Sequence, residues 1–366
     1  MRILLAPDKF KGSLSAPEAA EAMRRGILRA IPGAITVAKP IADGGEGTAE
    51  AISAALGGAW ITLPSRDPLG RKIGARYAWL DEGAAVIDMS EASGLWRLTP
   101  GERNPLRTST FGTGLLLRHA LEQGARKIFV GLGGSATNDG GIGMAAALGF
   151  RFLDAAGKEI TPTPMHLPTL ARIEPPERPL SAEIVALCDV QNPLLGERGA
   201  SRVFGPQKGA DARAVAELDA NLTRLADIVA RDLGCDFRET PGAGAAGGLG
   251  FGMLSFCGAK IRSGFETVAE ILRLEEEIAV SDFILTGEGR LDTQTLEGKG
   301  PAGVAMLARK HGKPVYAFAG SVEESAALKQ IFRRVEAITP PGMPLKEALP
   351  RAAALLEESV AAVFKK

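Results

Sequence analysis

Short apolar runs that break off into glycine-rich, acid-bearing loops recur along this chain, and at both of its ends they alternate with stretches of helical periodicity. A strand that is apolar throughout must be covered on both faces, and βα alternation covers it with right-handed crossover helices. Residues 2–6 (RILLA) form the first such run. Ser15 and Glu18 then make a capping box, with Pro17 in the first turn. Ala20, Met23, Ile27 and Ile31 recur at helical spacing up to the stop at Pro32-Gly33. Residues 35–41 read as a second strand, and 46–56 as a second helix closed by Gly57-Gly58. The rhythm returns after Ile278, with strands expected at 282–285, 315–318 and 335–338 and a last helix near 345–364. Five such strands predict an α/β fold, a doubly wound, flavodoxin-like parallel sheet.

Between the ends the pattern changes. Residues 61–63, 73–80 and 84–89 read as short strands joined by turns such as Asp81-Glu82-Gly83, with no helix between them. Further on, helices are expected at 112–122 and 141–148, and strands at 127–132 and 184–188. Val215, Leu218, Leu222, Leu225 and Val229 trace a long amphipathic helix with Asp211 as its N-cap. The simplest organisation is a discontinuous flavodoxin-like domain, residues 1–62 plus 281–366, with residues 63–280 inserted as a large second α/β domain. The expected active site is the cleft between the two.

Composition narrows the function. At 366 residues the chain has room for two domains. Lys plus Arg balance Asp plus Glu at 43 each, so no basic field points to nucleic acid or a membrane surface. Three cysteines without paired spacing fit a reducing compartment, and the cytoplasm is the expected location. Three histidines leave little material for a His-based metal site or a Ser-His triad. Glycine is the outlier: 45 residues, about 12 % against an average of ~7 %. Glycine at strand-to-helix turns lets a backbone approach a ligand closely.

In an open parallel sheet, ligands bind beyond the carboxyl ends of the strands. Three strands of the outer domain end in such loops: Pro7-Asp8-Lys9-Phe10-Lys11-Gly12-Ser13, Ala42-Asp43-Gly44-Gly45-Glu46-Gly47-Thr48, and Thr286-Gly287-Glu288-Gly289-Arg290-Leu291-Asp292. Two lysines with five carboxylates beside glycine turns suit a magnesium-phosphate site. In the insert, the 127–132 strand runs into Gly133-Gly134-Ser135-Ala136-Thr137-Asn138-Asp139-Gly140-Gly141 ahead of a helix, an arrangement that can cradle an anion. Arg107-Thr108-Ser109-Thr110 offers hydroxyls and a guanidinium at another helix start. Asp189 follows the 184–188 strand. No P-loop signature is present. Gly131-Leu132-Gly133-Gly134-Ser135-Ala136 spells a dinucleotide fingerprint, but Asn138-Asp139-Gly140-Gly141 breaks the helix it would have to open.

The loops at Ala6–Leu14, Ala42–Thr48, Gly131–Gly141, Cys188-Asp189-Val190-Gln191-Asn192-Pro193 and Thr286–Asp292, with Gly205-Pro206-Gln207-Lys208-Gly209 and Gly242–Gly250, resemble the successive motifs of the type-1 glycerate kinases over essentially the whole chain. The resemblance implies ATP, Mg²⁺ and D-glycerate, with 2-phosphoglycerate as the expected product and 3-phosphoglycerate as the other. The alternatives are a dinucleotide-dependent oxidoreductase and a non-catalytic binding protein for sugar acids. At the position of Lys9 the family usually has serine or another small residue, so the phosphate role is given to Lys11. Glu288 and Asp292 are placed near Mg²⁺, and Asp189 or Asp43 as the base toward the attacking hydroxyl. Asp8, Lys9, Ser13, Gly44, Gly45, Glu46, Arg107, Thr108, Ser109, Thr110, Gly133, Gly134, Ser135, Thr137, Asn138, Asp139, Gly287 and Arg290 complete the ATP and substrate set. A monomer or homodimer is expected.

Overall fold

A computed structural model describes residues 1–292, 300–323 and 326–365. In chain order the strands and helices are β1 (Arg2–Leu5), α1 (Ala16–Ala30), β2 (Ile35–Ala38), α2 (Thr48–Leu56), β3 (Ala59–Arg66), β4 (Lys72–Leu80), β5 (Ala84–Asp88), α3 (Ser90–Ser93), α4 (Phe111–Glu122), β6 (Lys127–Gly131) and α5 (Ile142–Ala147). There follow β7 (Arg151–Leu153), β8 (Arg172–Glu174), β9 (Glu183–Leu187), α6 (Ala200–Phe204), α7 (Ala212–Leu233), α8 (Ala245–Cys257), β10 (Lys260–Arg262), α9 (Gly264–Ile271) and α10 (Leu274–Val280). The chain ends with β11 (Phe283–Leu291), α11 (Gly300–Lys310), β12 (Val315–Val322), α12 (Ala326–Ile331), β13 (Arg334–Ala337), α13 (Leu345–Ala348) and α14 (Ala352–Phe364). Two compact units result. The first holds residues 1–43, 50–57 and 264–366, the second 44–49 and 58–263.

The first unit contains a five-stranded parallel sheet ordered β2-β1-β11-β12-β13. Counted within the unit this is the order 2-1-3-4-5, the flavodoxin-like arrangement, whose switch point lies between its first and third strands. Leu4, Ala6, Ile41, Ile284, Val304 and Val315 fill the core on one face. Ile3, Leu5, Met23, Ile27, Phe318 and Leu356 fill the other. The predicted capping box is present: Glu18 N donates to Ser15 Oγ and Ser15 N to a Glu18 carboxylate oxygen.

The second unit contains a six-stranded sheet ordered β10-β9-β6-β5-β4-β3. The β3–β4 and β4–β5 pairs are antiparallel, and β5, β6, β9 and β10 run parallel. Asp211 caps α7 as its sequence position predicts, accepting from Ala214 N at 2.8 Å. Among the described residues no helix is long and apolar enough to cross a membrane.

The boundaries differ from the sequence expectation of 1–62 plus 281–366 around 63–280: residues 44–49, expected in the first unit, belong to the second. Residues 59–62 belong to the second unit because β3 pairs with β4 along its whole length. Residues 264–280 belong to the first, because Phe265, Ala269, Leu274 and Ile278 of α9 and α10 are buried in its core. Of the stretch 281–366, residues 293–299, 324, 325 and 366 lie outside the described residues. A further difference concerns the loop expected after residue 285. The backbone instead continues as strand to Leu291, pairing Glu288 with Ala319 and Arg290 with Ser321 of β12 after β1 has ended.

Candidate active site

In the first unit the switch point is occupied by the segments that follow β1 and by the far half of β11. Asp8 N donates to Gly287 O at 2.8 Å, and Thr286 Oγ1 donates to Ala6 O at 2.7 Å. Phe10 is buried and bridges to Leu14, so residues 10–14 close a tight turn that leaves Lys11 and Gly12 exposed at its tip. Ser13 Oγ is committed to that turn, donating to Phe10 O at 3.0 Å. Lys9 is half-buried beside Asp8.

Asp8 is buried and accepts Lys9 N on Oδ1 at 2.6 Å. Burial, reinforced by the negative charges of Asp43 and Glu288, pushes its pKa up to about 8 against the pull of Lys9. Three carboxylates thus share one field in this unit. Their hard oxygen donors fit Mg²⁺, which takes one or two carboxylates plus phosphate oxygens rather than a closed protein cage. Among the described residues no three His, Cys, Asp or Glu side chains converge as a preformed metal site. Gly287 lies within the β11–β12 ladder opposite Phe318. Arg290 is 63 % exposed and ion-paired to Asp292 at 3.3 Å and to Glu323 at 2.9 Å, which neutralises much of its charge.

The raised pKa has a testable consequence. Unfolded aspartate ionises near about pH 3.9, so between that value and about pH 8 the folded chain binds the extra proton. The stability carried by protonated Asp8 is therefore complete below the lower value and is lost as pH rises through the upper one. Asp8→Asn is expected to flatten the decline in unfolding free energy across that window. Urea melts at several pH values would test this, and parallel curves for wild type and variant would refute it.

In the second unit the parallel strands end level with one another. Asp88 of β5 is in register with Gly131 of β6, Gly131 with Leu187 of β9, and Leu187 with Arg262 of β10. Gly133, Gly134 and Asp189 lie just beyond that line. Asp189 is half-buried, and its Oδ1 accepts from Ser263 Oγ at 3.0 Å.

Residues 44–49 join this row. Gly47 N and Ala49 N donate to the two oxygens of Asp88 at 2.9 and 3.1 Å, so a buried carboxylate holds the start of α2. Thr48 Oγ1 donates to Gly45 O at 2.7 Å. A Cβ on Gly133 would stand 2.4 Å from Gly45 Cα, so the backbones of Gly45 and Gly133 lie in direct contact. Glu46 remains exposed.

Loop 133–141 is held from several sides. Ala136 N donates to Ser93 O, and Thr108 Oγ1 donates to Ala136 O. Asn138 Nδ2 donates to Ser201 Oγ at 3.0 Å. Asp139 is fully buried and accepts from Thr110 N, Thr110 Oγ1, Gly141 N and Gly143 N at 2.7 to 3.2 Å. Burial raises its pKa, opposed by those four bonds. In this structure its carboxylate ties α4 to α5 and faces framework donors. Ser109 Oγ donates to Pro162 O and accepts from Phe111 N. Thr108, Ser109 and Thr110 therefore spend their hydroxyls on the framework, while Arg107 stays exposed. The dinucleotide look-alike fails on the same geometry, because helix α5 begins only at Ile142.

Sequence reasoning passed over two residues. Asp88 ends a strand just as Asp189 nearly does, so the strand-end rule could have found it. Lys208 lies in the Gly-Pro-Gln-Lys-Gly segment. It is 2 % exposed, and its Nζ donates to Ser135 Oγ and Thr137 O, both at 2.7 Å. Burial pushes its pKa down to about 7, with Asp139 opposing.

The glycerate kinase family model matches residues 3–366. A protein named glycerate kinase from Bacillus subtilis (strain 168) is 44 % identical over 98 % of this chain and 96 % of its own length. One named glycerate 2-kinase from Escherichia coli (strain K12) is 46 % identical over 90 % of this chain and 87 % of its own. A crystal structure of a protein described as glycerate kinase 2, from Salmonella typhimurium LT2, superposes with a TM-score of 0.88 at 43 % identity, covering 100 % of this chain and 97 % of the other.

Proposed function

We propose that this chain, which belongs to the glycerate kinase family, transfers the γ-phosphate of ATP to the 2-hydroxyl of D-glycerate, giving 2-phosphoglycerate and ADP. The observation that carries the reading is the family match from residue 3 to residue 366, which takes in every strand-end loop described above. The relative named glycerate 2-kinase favours the 2-hydroxyl over the 3-hydroxyl.

Phosphoryl transfer asks a protein mainly for positioning and charge neutralisation. Lys11, exposed on its turn, supplies a cation for a phosphate. Glu288, with Asp8 beside it, and Asp292 would hold Mg²⁺, which neutralises charge on the phosphates. Asp43 or Asp189 takes the proton of the attacking hydroxyl. Arg107, Ser135 and the neighbouring backbone of loop 133–139 bind an anionic group.

Incubation with ATP, Mg²⁺ and D-glycerate, followed by phosphorus NMR of the product, tests the assignment. A signal from 2-phosphoglycerate is expected. The 3-phosphate would move the attack to the other hydroxyl, and turnover of another hydroxy acid with none of glycerate would overturn the substrate.

A further inference from the structure

Lys208 is the one buried lysine or arginine among the described residues. Taking an ammonium out of water is costly, so stability alone poorly explains a lysine rather than an apolar residue here. Its surroundings give a better reason. The lysine ends a short turn, Pro206–Lys208, that follows α6. From there its ammonium reaches two atoms of one loop, Ser135 Oγ and Thr137 O. Ser201 of α6 holds the next residue, Asn138. One small substructure thus grips residues 135, 137 and 138.

The gripped loop has hydrogen-bonding capacity to spare. Thr137 Oγ1 and Asn138 Oδ1 are buried, and neither has a hydrogen-bond partner. Buried polar atoms are normally satisfied. Of the two, the Thr137 hydroxyl, on the residue whose carbonyl the ammonium holds, can donate to an anion, whereas Asn138 Oδ1 can only accept.

We propose that Lys208 is a positioning residue: it fixes loop 135–139 in the conformation that receives an anionic group of a substrate, and supplies positive charge beneath it. The inference rests on the kinase reading. Burial pulls the Lys208 pKa down to about 7, so the ammonium that makes both hydrogen bonds is held against a desolvation cost and is lost as pH rises above neutral.

The test compares Lys208→Met and Lys208→Gln with wild type in thermal melts and in steady-state assays that vary ATP and D-glycerate separately. The methionine variant is expected to melt within a few degrees of wild type. Its KM for one of the two substrates should rise about tenfold or more, with the other KM within about twofold. Glutamine, which keeps one donor, should recover part of the loss. Normal KM values for both substrates would overturn the inference, as would a loss confined to kcat. Failure of both variants to fold would make the lysine structural and overturn it too. Wild-type turnover of D-glycerate, measured alongside, separates these outcomes from failure of the kinase reading itself.

Discussion

Asp43→Asn and Asp189→Asn are each expected to lower kcat by about 10²–10⁴-fold, the range in which positioned acid–base groups act. Folded yield should stay close to that of wild type. Asparagine keeps the shape and the acceptor oxygen but cannot take a proton at neutral pH. Both acids stand where a catalytic group is easier to explain than a structural one. Asp189 lies just past the ends of the parallel strands and is half-buried, with Ser263 Oγ donating to Oδ1 at 3.0 Å. Asp43 is half-buried as well, and its charge helps to push up the pKa of Asp8. Contrast Asp139, whose carboxylate accepts four bonds from framework donors in the interior. Asp139→Asn should damage folding first, because the amide nitrogen would confront donors. Single-turnover and steady-state rates with ATP and D-glycerate, beside circular dichroism of each variant, provide the measurement. A near-normal kcat in one variant would remove that aspartate from the chemistry and leave the base role to the other.

Much of this could be read in advance where the physics is local. The Ser15–Glu18 capping box and the Asp211 cap each span only four residues of sequence, and both are present. The strand-and-helix rhythm at the two ends of the chain sufficed for a five-stranded sheet of flavodoxin type. What escaped is tertiary. Asp88 acts on backbone 39 and 41 residues away, and Lys208 on atoms 71 and 73 residues away. No spacing rule connects such partners. The far half of β11 shows the same limit: Thr-Gly-Glu-Gly-Arg has the composition of a turn, yet pairing with β12 keeps it extended. The glycine clusters were legible as close approaches but were assigned to a ligand. At several of them the approaching partner is another stretch of the chain, as Gly133 against Gly45 shows.

The largest expected effect on stability comes from one of these glycines. Ala246, Gly247 and Gly248 turn the backbone left-handed at the start of α8, with φ of 53°, 69° and 85°. This turn packs directly on the candidate loop, and Gly140 N donates to Gly247 O at 3.1 Å. A Cβ on Gly247 would fall 1.9 Å from Thr137 O and 2.6 Å from Asn138 Cα. Both are backbone atoms of the segment that Lys208 and Ser201 already hold. They cannot rotate away as a side chain could, so the loop must shift. Gly247→Ala should therefore combine the left-handed penalty, about 1–2 kcal/mol, with overpacking of about 1–3 kcal/mol. It should also reduce activity in the molecules that remain folded, because the displaced atoms belong to residues 137 and 138. Gly258→Ala is the control. Gly258 is left-handed too, at φ 59°, but a Cβ there meets nothing within 4 Å. It should cost the conformational penalty alone and leave kcat and KM unchanged. Denaturant melts and kinetics on both variants decide the matter: equal losses of stability with equal activities would show that the backbone contact between Gly247 and loop 137–139 has no part in either.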